Sequence, residues 1–341
     1  MAAAIDVTPI AVPIVTTHKP PSIARQLLAN RLAVAGFILL GFFAFVALAA
    51  PILAPPQPGA RDPMKTPRDG FGTVPLPPGV LWVRNAPPLP FWWKPLTGLD
   101  QWTHPFGVAS GGWDIYYGVV WGTRTAFLAG IVITFFTLLI GIIIGTVSSY
   151  YGGVVDIILQ RITEVFQTFP FLLAALTGAT ILQPLLGGRA GVGGTGLIAA
   201  AIAITLFGWM GFARLIRGDI LSVRERDYVL AARAAGVRDL RIMLRHIIPN
   251  AIFPTLVLAW LNIGTYVVTF AALSFLGLGA EQGYADWGQL LSFGRNWITT
   301  LDQYWYMVFF PGLTLVLFVL GWNLVGDAVR DILDPRMRKT R

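Results

Sequence analysis

The sequence predicts an all-α protein that crosses a membrane six times, with both termini in the cytoplasm. Three observations carry that prediction. Of the 341 residues, 55% are hydrophobic and only 12% charged, roughly half the charged fraction of a soluble domain. Six stretches, 32–60, 125–155, 165–188, 190–213, 246–280 and 303–326, contain no Asp, Glu, Lys or Arg. Each exceeds the roughly 18–20 residues that cross a hydrocarbon core, and in lipid such spans must be helices. Basic residues gather at Lys19, Arg25 and Arg31, in the eight arginines from Arg214 to Arg245, and at Arg330, Arg336, Arg338, Lys339 and Arg341. The positive-inside rule puts all three groups in the cytoplasm, as an even number of spans requires. The net charge of +8 therefore reads as membrane topology rather than nucleic-acid binding.

Residues 1–31 form a cytoplasmic tail and 32–54 the first transmembrane helix. Ala47-Leu48-Ala49 resembles a signal-peptide cleavage site, but the tail before it is about thirty residues and the apolar run is long, so it reads as an uncleaved anchor. Residues 55–124 form a long external loop. Thirteen prolines fall within 55–105, together with Trp82, Trp92, Trp93 and Trp102. Proline fixes φ and removes donors, so the loop is expected to be extended and irregular. It is expected to lie over the outer membrane surface with its tryptophans at the interface; the other reading is a docking surface for an external partner. Residues 125–326 hold five further helices and a cytoplasmic coupling segment, 214–246. A second tail, 327–341, carries Asp327, Asp331 and Asp334, read as pairing with the basic residues around them.

Cysteine is absent and the three histidines, His18, His104 and His246, lie far apart. Disulfides and thiol chemistry are excluded, and no metal or catalytic site is expected. Gly191-Val192-Gly193-Gly194-Thr195-Gly196 matches the dinucleotide-binding fingerprint, but that fingerprint needs a preceding strand and a βαβ unit. Between two membrane spans it reads as a turn. No Gly-Lys-Ser/Thr occurs, so ATP chemistry belongs to another chain.

Polar residues within the spans are the candidates for a pathway, because lipid disfavours them. Asp156, Gln160, Glu164 and Gln167 follow i, i+4, i+8, i+11, one face of a helix that should look into the bundle. Arg161 is placed to pair with Glu164. Asn262 and Thr265 in the fifth span, and Asn323 in the sixth, are weaker candidates. The pathway set is therefore Gln160, Glu164, Gln167, Asn262 and Thr265.

The segment RERDYVLAARAAGVRDLRIMLRHIIPN, 224–250, predicts a short helix capped by Asp227, ended by a left-handed Gly236 and followed from Asp239 by an amphipathic helix at the lipid boundary. Pro249 opens the fifth span. Leu230-Ala231-Ala232, then Gly236 and Ile248-Pro249, resemble the coupling motif of ABC importer permeases, although Leu230 replaces its acidic residue and His246 and Ile248 its isoleucine and leucine. The phrase from Arg226 to Asn250 is most similar to the second, C-type, permease of dipeptide/oligopeptide importers. HPFGVASGGWDIYYGVVWGTRTAFLAG (104–130) and SFLGLGAEQGYADWGQLL (274–291) resemble two further blocks of that subgroup. In the first, Val108, Ala109 and Trp113 stand where Thr, Asp and Arg are expected. The resemblance covers about 22–341, apart from the proline-rich segment 55–100.

The resemblance implies a type I importer transmembrane fold in a bacterial or archaeal inner membrane. The partners it implies are a second homologous permease, two cytoplasmic ABC ATPase subunits and an external peptide-binding protein, with lipid around the bundle and no nucleic acid. ATP and Mg would sit on the ATPases, with no cofactor on this chain. Asp227, Tyr228, Leu230, Ala231, Ala232, Arg233 and Gly236 would form the ATPase contact. Di- or oligopeptide is the implied cargo; nickel chelates or other small solutes are the alternative within the class. The reading from a different class is a membrane-embedded lipid or isoprenoid transferase, for which the sequence lacks paired acidic or histidine clusters. A secondary transporter would be expected to show an internal repeat, and none is evident.

Overall fold

In the computed structural model, residues 27–60, 62–70, 72–186 and 194–333 are described. Helix α1 spans Arg31–Leu53. After the loop, which holds α2 (Trp93–Thr97) and a ribbon of β1 (Val108–Ala109) and β2 (Trp113–Asp114), come α3 (Ile115–Tyr151), α4 (Gly153–Thr168) and α5 (Phe171–Leu186). The second half holds α6 (Thr195–Gly208), α7 (Met210–Val223), α8 (Asp227–Ala234), α9 (Asp239–Ile242) and α10 (Ile248–Phe275). The chain continues through α11 (Trp287–Gly294), a 3₁₀ stretch Arg295–Thr300, α12 (Leu301–Tyr304) and α13 (Tyr306–Leu333). Among the described residues five helical runs are long and apolar enough to cross a membrane, and the bent pair α4–α5 brings the number to six if it is counted as one span.

Helices α3, α7 and α10 pack against one another at the centre, α13 joins α1 to α10, and α5 pairs with α6. Small residues set the closest approaches, as expected where helices associate by packing rather than by hydrophobic drive. A Cβ on Gly141 would lie 2.5 Å from the Phe212 side chain, and one on Gly145 2.4 Å from the Ala213 carbonyl oxygen. Ala175, Ala179, Ala200 and Ala203 line the α5–α6 seam, all fully buried.

Several boundaries differ from those expected. The second span starts at Ile115 rather than 125, because Asp114 caps it by accepting the Tyr117 N–H at 2.7 Å. The charge that hid this turn, Arg124, has a partner on α1. Pro51 lacks the N–H that the Ala47 carbonyl would accept; Arg124 Nε donates to that oxygen instead, at 2.5 Å. The polar stripe 156–167 and the apolar run 171–186 are separate helices bent by 89°, since Pro170 stands at the joint. The helix from Asp239 is not a separate interfacial element. It continues into α10 through a π turn, Met243–Ile247, in which the Ile248 N–H reaches the Met243 carbonyl, just before Pro249 withdraws a donor. Likewise α7 extends the fourth span to Val223, leaving 224–238 as the true connection.

The loop is irregular, as its prolines require, yet its tryptophans are not spread along an interface. Trp82, Trp93 and Trp102 are at most 9% exposed and pack with Tyr117 and Trp121 over the ends of α1 and α3. Trp93 and Trp102 meet edge to face at 4.5 Å. Burying each such ring contributes on the order of 2 kcal/mol, which is how a chain without regular secondary structure holds its shape. Isolated bridges tie the loop to the ribbon, Leu76 to Val108 and Arg68 to Trp113. Val108 and Ala109 are buried beneath it at 1% exposure, and the Arg68 guanidinium lies 4.4 Å over the Trp113 ring. Two of the three departures from the family block, Val108 and Trp113, are thus positions the loop covers, and Ala109 packs into the core beside Ile115. Residues 191–193 of the glycine-rich turn, Asp334 and the basic residues from Arg336 lie outside the described residues.

Candidate functional site

Two helix breaks face each other inside the bundle. At Pro170 the chain turns from α4 into α5, and at Trp209 it steps from α6 to α7. The carbonyl of Gly208, at the second break, accepts the Tyr266 hydroxyl at 2.9 Å. Between the breaks and α10 lies a cavity of about 430 Å³, within the range of small-ligand sites. Its walls are Gln167, Phe169, Pro170, Phe171, Phe207, Gly208, Met210, Gly211, Asn262, Thr265 and Tyr266.

Three of the five expected pathway residues, Gln167, Asn262 and Thr265, meet here although they come from two distant spans. Asn262 donates its amide back to the Leu258 carbonyl at 2.8 Å, which leaves the carboxamide oxygen available. Gln167 accepts from Arg214 on α7. The other two do not reach the cavity. Gln160 donates to Ser148 at 3.1 Å, and Glu164 pairs on the exposed face with Arg161 at 2.9 Å. Asp156 belongs to a separate lock: Arg217 donates to both its oxygens, at 2.7 and 2.6 Å. Tyr266, Phe171 and the Gly208 carbonyl escaped the sequence reading. A Gly-Trp pair inside an apolar run was the available signal for a break.

At the other end of α7 and α10 sits the short helix α8. Arg226, in an extended conformation, is its N-cap residue; its carbonyl takes the N–H groups of Val229 and Leu230 at 2.9 and 3.1 Å. Asp227 therefore falls in the first turn instead of capping, where its charge still suits the helix dipole. Gly236 ends the helix at φ +73°. Its N–H meets the Arg233 carbonyl and the Val237 N–H the Ala232 carbonyl, at 3.0 and 3.1 Å, a Schellman ending.

Only Val229 of α8 is buried, against Ile216, Ile220 and Val223 of α7, Ile242, Ile247 and Ala251. Tyr228 and Leu230 are each 44% exposed, and Asp227, Ala231, Arg233 and Gly236 are exposed too, with Ala232 half-buried. Tyr150 at the end of α3 donates to Asp239 at 2.6 Å, and Arg233 lies over its ring at 5.3 Å. Arg224 donates to the Ser149 carbonyl at 2.6 Å.

A further cluster was not foreseen from the sequence. His104, fully buried, places Nδ1 2.5 Å from Asp114 and Nε2 3.1 Å from Asp69, and Trp82 stacks on its ring at 4.3 Å. A neutral imidazole has one N–H, whereas two carboxylates here each require one. Burial opposes the charge, but Asp114 and then Asp69 outweigh it and hold the pKa above the ordinary value. The cluster pins the loop to the start of α3. No group among the described residues is arranged to hold a metal.

Comparison with known proteins places this architecture. Residues 120–339 match the family model described as the inner membrane component of binding-protein-dependent transport systems. Residues 22–88 match the N-terminal transmembrane domain of oligopeptide transport permease C, so the match enters the proline-rich loop that the motif resemblance had left out. The dipeptide transport system permease protein DppC of Alkalihalophilus pseudofirmus is 32% identical over 92% of this chain and 89% of its own length. The oligopeptide transport system permease protein OppC of Bacillus subtilis is 32% identical over 91% of this chain and 88% of its own. A solved structure of the MetNI methionine ABC transporter, inward facing, aligns with a TM-score of 0.49 at 20% identity, covering 64% of this chain and 97% of that one. The chain belongs to the inner-membrane components of binding-protein-dependent transport systems, as a C-type permease of the dipeptide/oligopeptide ABC family.

Proposed function

We propose that this chain forms one half of an alternating-access pathway for di- or oligopeptides, driven by ATPase subunits that grip α8. One observation carries the reading. The exposed helix α8 packs on the C-terminal part of α7 and the first turn of α10, and the cavity is walled by the N-terminal end of α7 and the middle of α10. The rise of α7 over its 14 residues is about 20 Å, and small residues on α3 hold the rod in register. Tilting α8 would therefore move the cavity wall without unfolding anything.

In this reading the segment 224–238 faces the cytoplasm, with both chain ends, and the tryptophan-rich cap faces outward. A second permease completes the cavity from its open side, and an external binding protein presents the peptide. ATP and Mg are held by the ATPases. Tyr228, Leu230, Ala231, Ala232, Arg233 and Gly236, with Asp227 at the helix start, form the grip; Gln167, Asn262 and Thr265 offer amide and hydroxyl groups to a peptide backbone.

The test is Ala231→Arg in the assembled transporter. The expected outcome is loss of ATPase co-purification and at least a ten-fold drop in ATP-driven dipeptide uptake, with the chain still inserted at normal levels. Retained ATPase binding and uptake would refute the grip.

A further inference from the structure

A second cavity lies at the capped end, away from the pathway, and nothing above uses it. It encloses about 570 Å³ between the loop and the β-ribbon, and Lys65, Thr66, Arg68, Asn85 and Trp113 contribute to its walls. Its volume falls within the range of small-ligand sites. Its character is different from the pathway cavity, whose walls are mainly aromatic and aliphatic.

Two features of the walls point to a ligand. Lys65 makes no side-chain hydrogen bond or ion pair among the described residues, so its ammonium is available. Asn85 holds φ at +52°, the one non-glycine residue with positive φ among those described, a conformation that tends to persist where a site needs it. Gln57, also in the wall, fixes that turn by donating to the Asn85 carbonyl at 2.6 Å. Arg68 adds positive potential while bonded to the Gly111 carbonyl at 2.9 and 2.7 Å. Asp62 stands in the same wall with one oxygen accepting the Met64 N–H at 2.9 Å. Among the described residues two cations and one carboxylate thus line this cavity, with amides and an indole beside them.

We infer that this cavity is a second binding site, for the free carboxylate end of a short peptide, set on the outward cap of the permease. Lys65 takes the carboxylate, Asn85 the adjoining amide, and Asp62 suits a nearby ammonium group. The choice of a peptide over any other carboxylate rests on the transport reading above. The site would hold cargo on the cap before it enters the pathway.

The experiment is equilibrium dialysis of labelled Ala-Ala against the full chain in lipid nanodiscs, without ATPase, nucleotide or binding protein. Saturable binding is expected, with Ala-Ala amide at least ten-fold weaker in the unaltered protein, as loss of one charge-assisted contact implies. Lys65→Gln should weaken Ala-Ala about ten-fold and leave the amide unchanged; Gln167→Leu, in the pathway cavity, should leave the cap site intact. Absence of saturable binding, or equal binding of acid and amide, overturns the inference, and that comparison requires no variant to fold. Inorganic phosphate displacing Ala-Ala at equal concentration would make this an anion site and overturn its peptide assignment. Because the measurement omits ATP, its failure leaves the coupling test untouched, and failure of the coupling test leaves this binding to be seen or not.

Discussion

His104 and Asp286 are buried ionisable groups whose protons set opposite expectations for substitution. His104 is held charged between Asp114 and Asp69, so its folded pKa lies above the unfolded value. Its contribution is full below the ordinary histidine pKa of about 6.5 and is lost as pH rises through the raised folded value. His104→Gln should therefore cost about 3–5 kcal/mol near pH 6, by leaving two buried carboxylates unpaired, and clearly less at alkaline pH. Thermal unfolding at the two pH values checks this; an equal cost at both would contradict it. Asp286 caps α11 through the Gly288 N–H at 3.3 Å, and burial, outweighing the help of Ser274 and the α11 N–H groups, pushes its pKa from 3.8 up to about 6. Here stability is highest below pH 3.8 and falls as pH rises to the folded value. Asparagine caps as well as aspartate. Asp286→Asn should thus stabilise by about 1–3 kcal/mol at pH 8 and be neutral near pH 4. Destabilisation at pH 8 would show the charge itself to be required.

At the scale of elements, helix ends depend on one another. The Ala47 carbonyl lacks its helical donor because residue 51 is proline, and Arg124 of α3 supplies one. Arg124→Ala should cost about 1–3 kcal/mol. In a Pro51→Ala background, where the backbone N–H returns, that cost should shrink by more than half. A double-mutant cycle in detergent reads the coupling directly, and strict additivity would disprove it. The same example shows what the sequence could and could not display. Charge-free runs located the spans because lipid excludes charge, yet they trimmed the second span at Arg124, whose partner is a carbonyl on another helix. The short helix and its Gly236 ending were legible, because capping is local. The 89° bend, the π turn and the meeting of Gln167 with Asn262 were not, since they depend on packing between distant segments. His104 was passed over because Asp69 and Asp114 join it only when the loop folds back.

For the whole molecule, α7 and α10 connect a surface helix to an internal cavity, with a tryptophan-packed cap over the other end. Small-residue contacts along α3 hold α7 and α10 close, and in the proposed reading a push on α8 arrives through them at the helix breaks near Pro170 and Trp209. Peptide specificity at the cavity would then be modest, since its polar groups are amides and a hydroxyl rather than charges. The absence of cysteine makes the decisive measurement clean. Single cysteines at Gln167 and Thr265 can be labelled with membrane-impermeant thiol reagents in vesicles of the assembled transporter. Labelling is expected from the α8 side in the nucleotide-free state and from the capped side when ATP is trapped on the ATPases. Labelling from one side only, whatever the nucleotide, would contradict it.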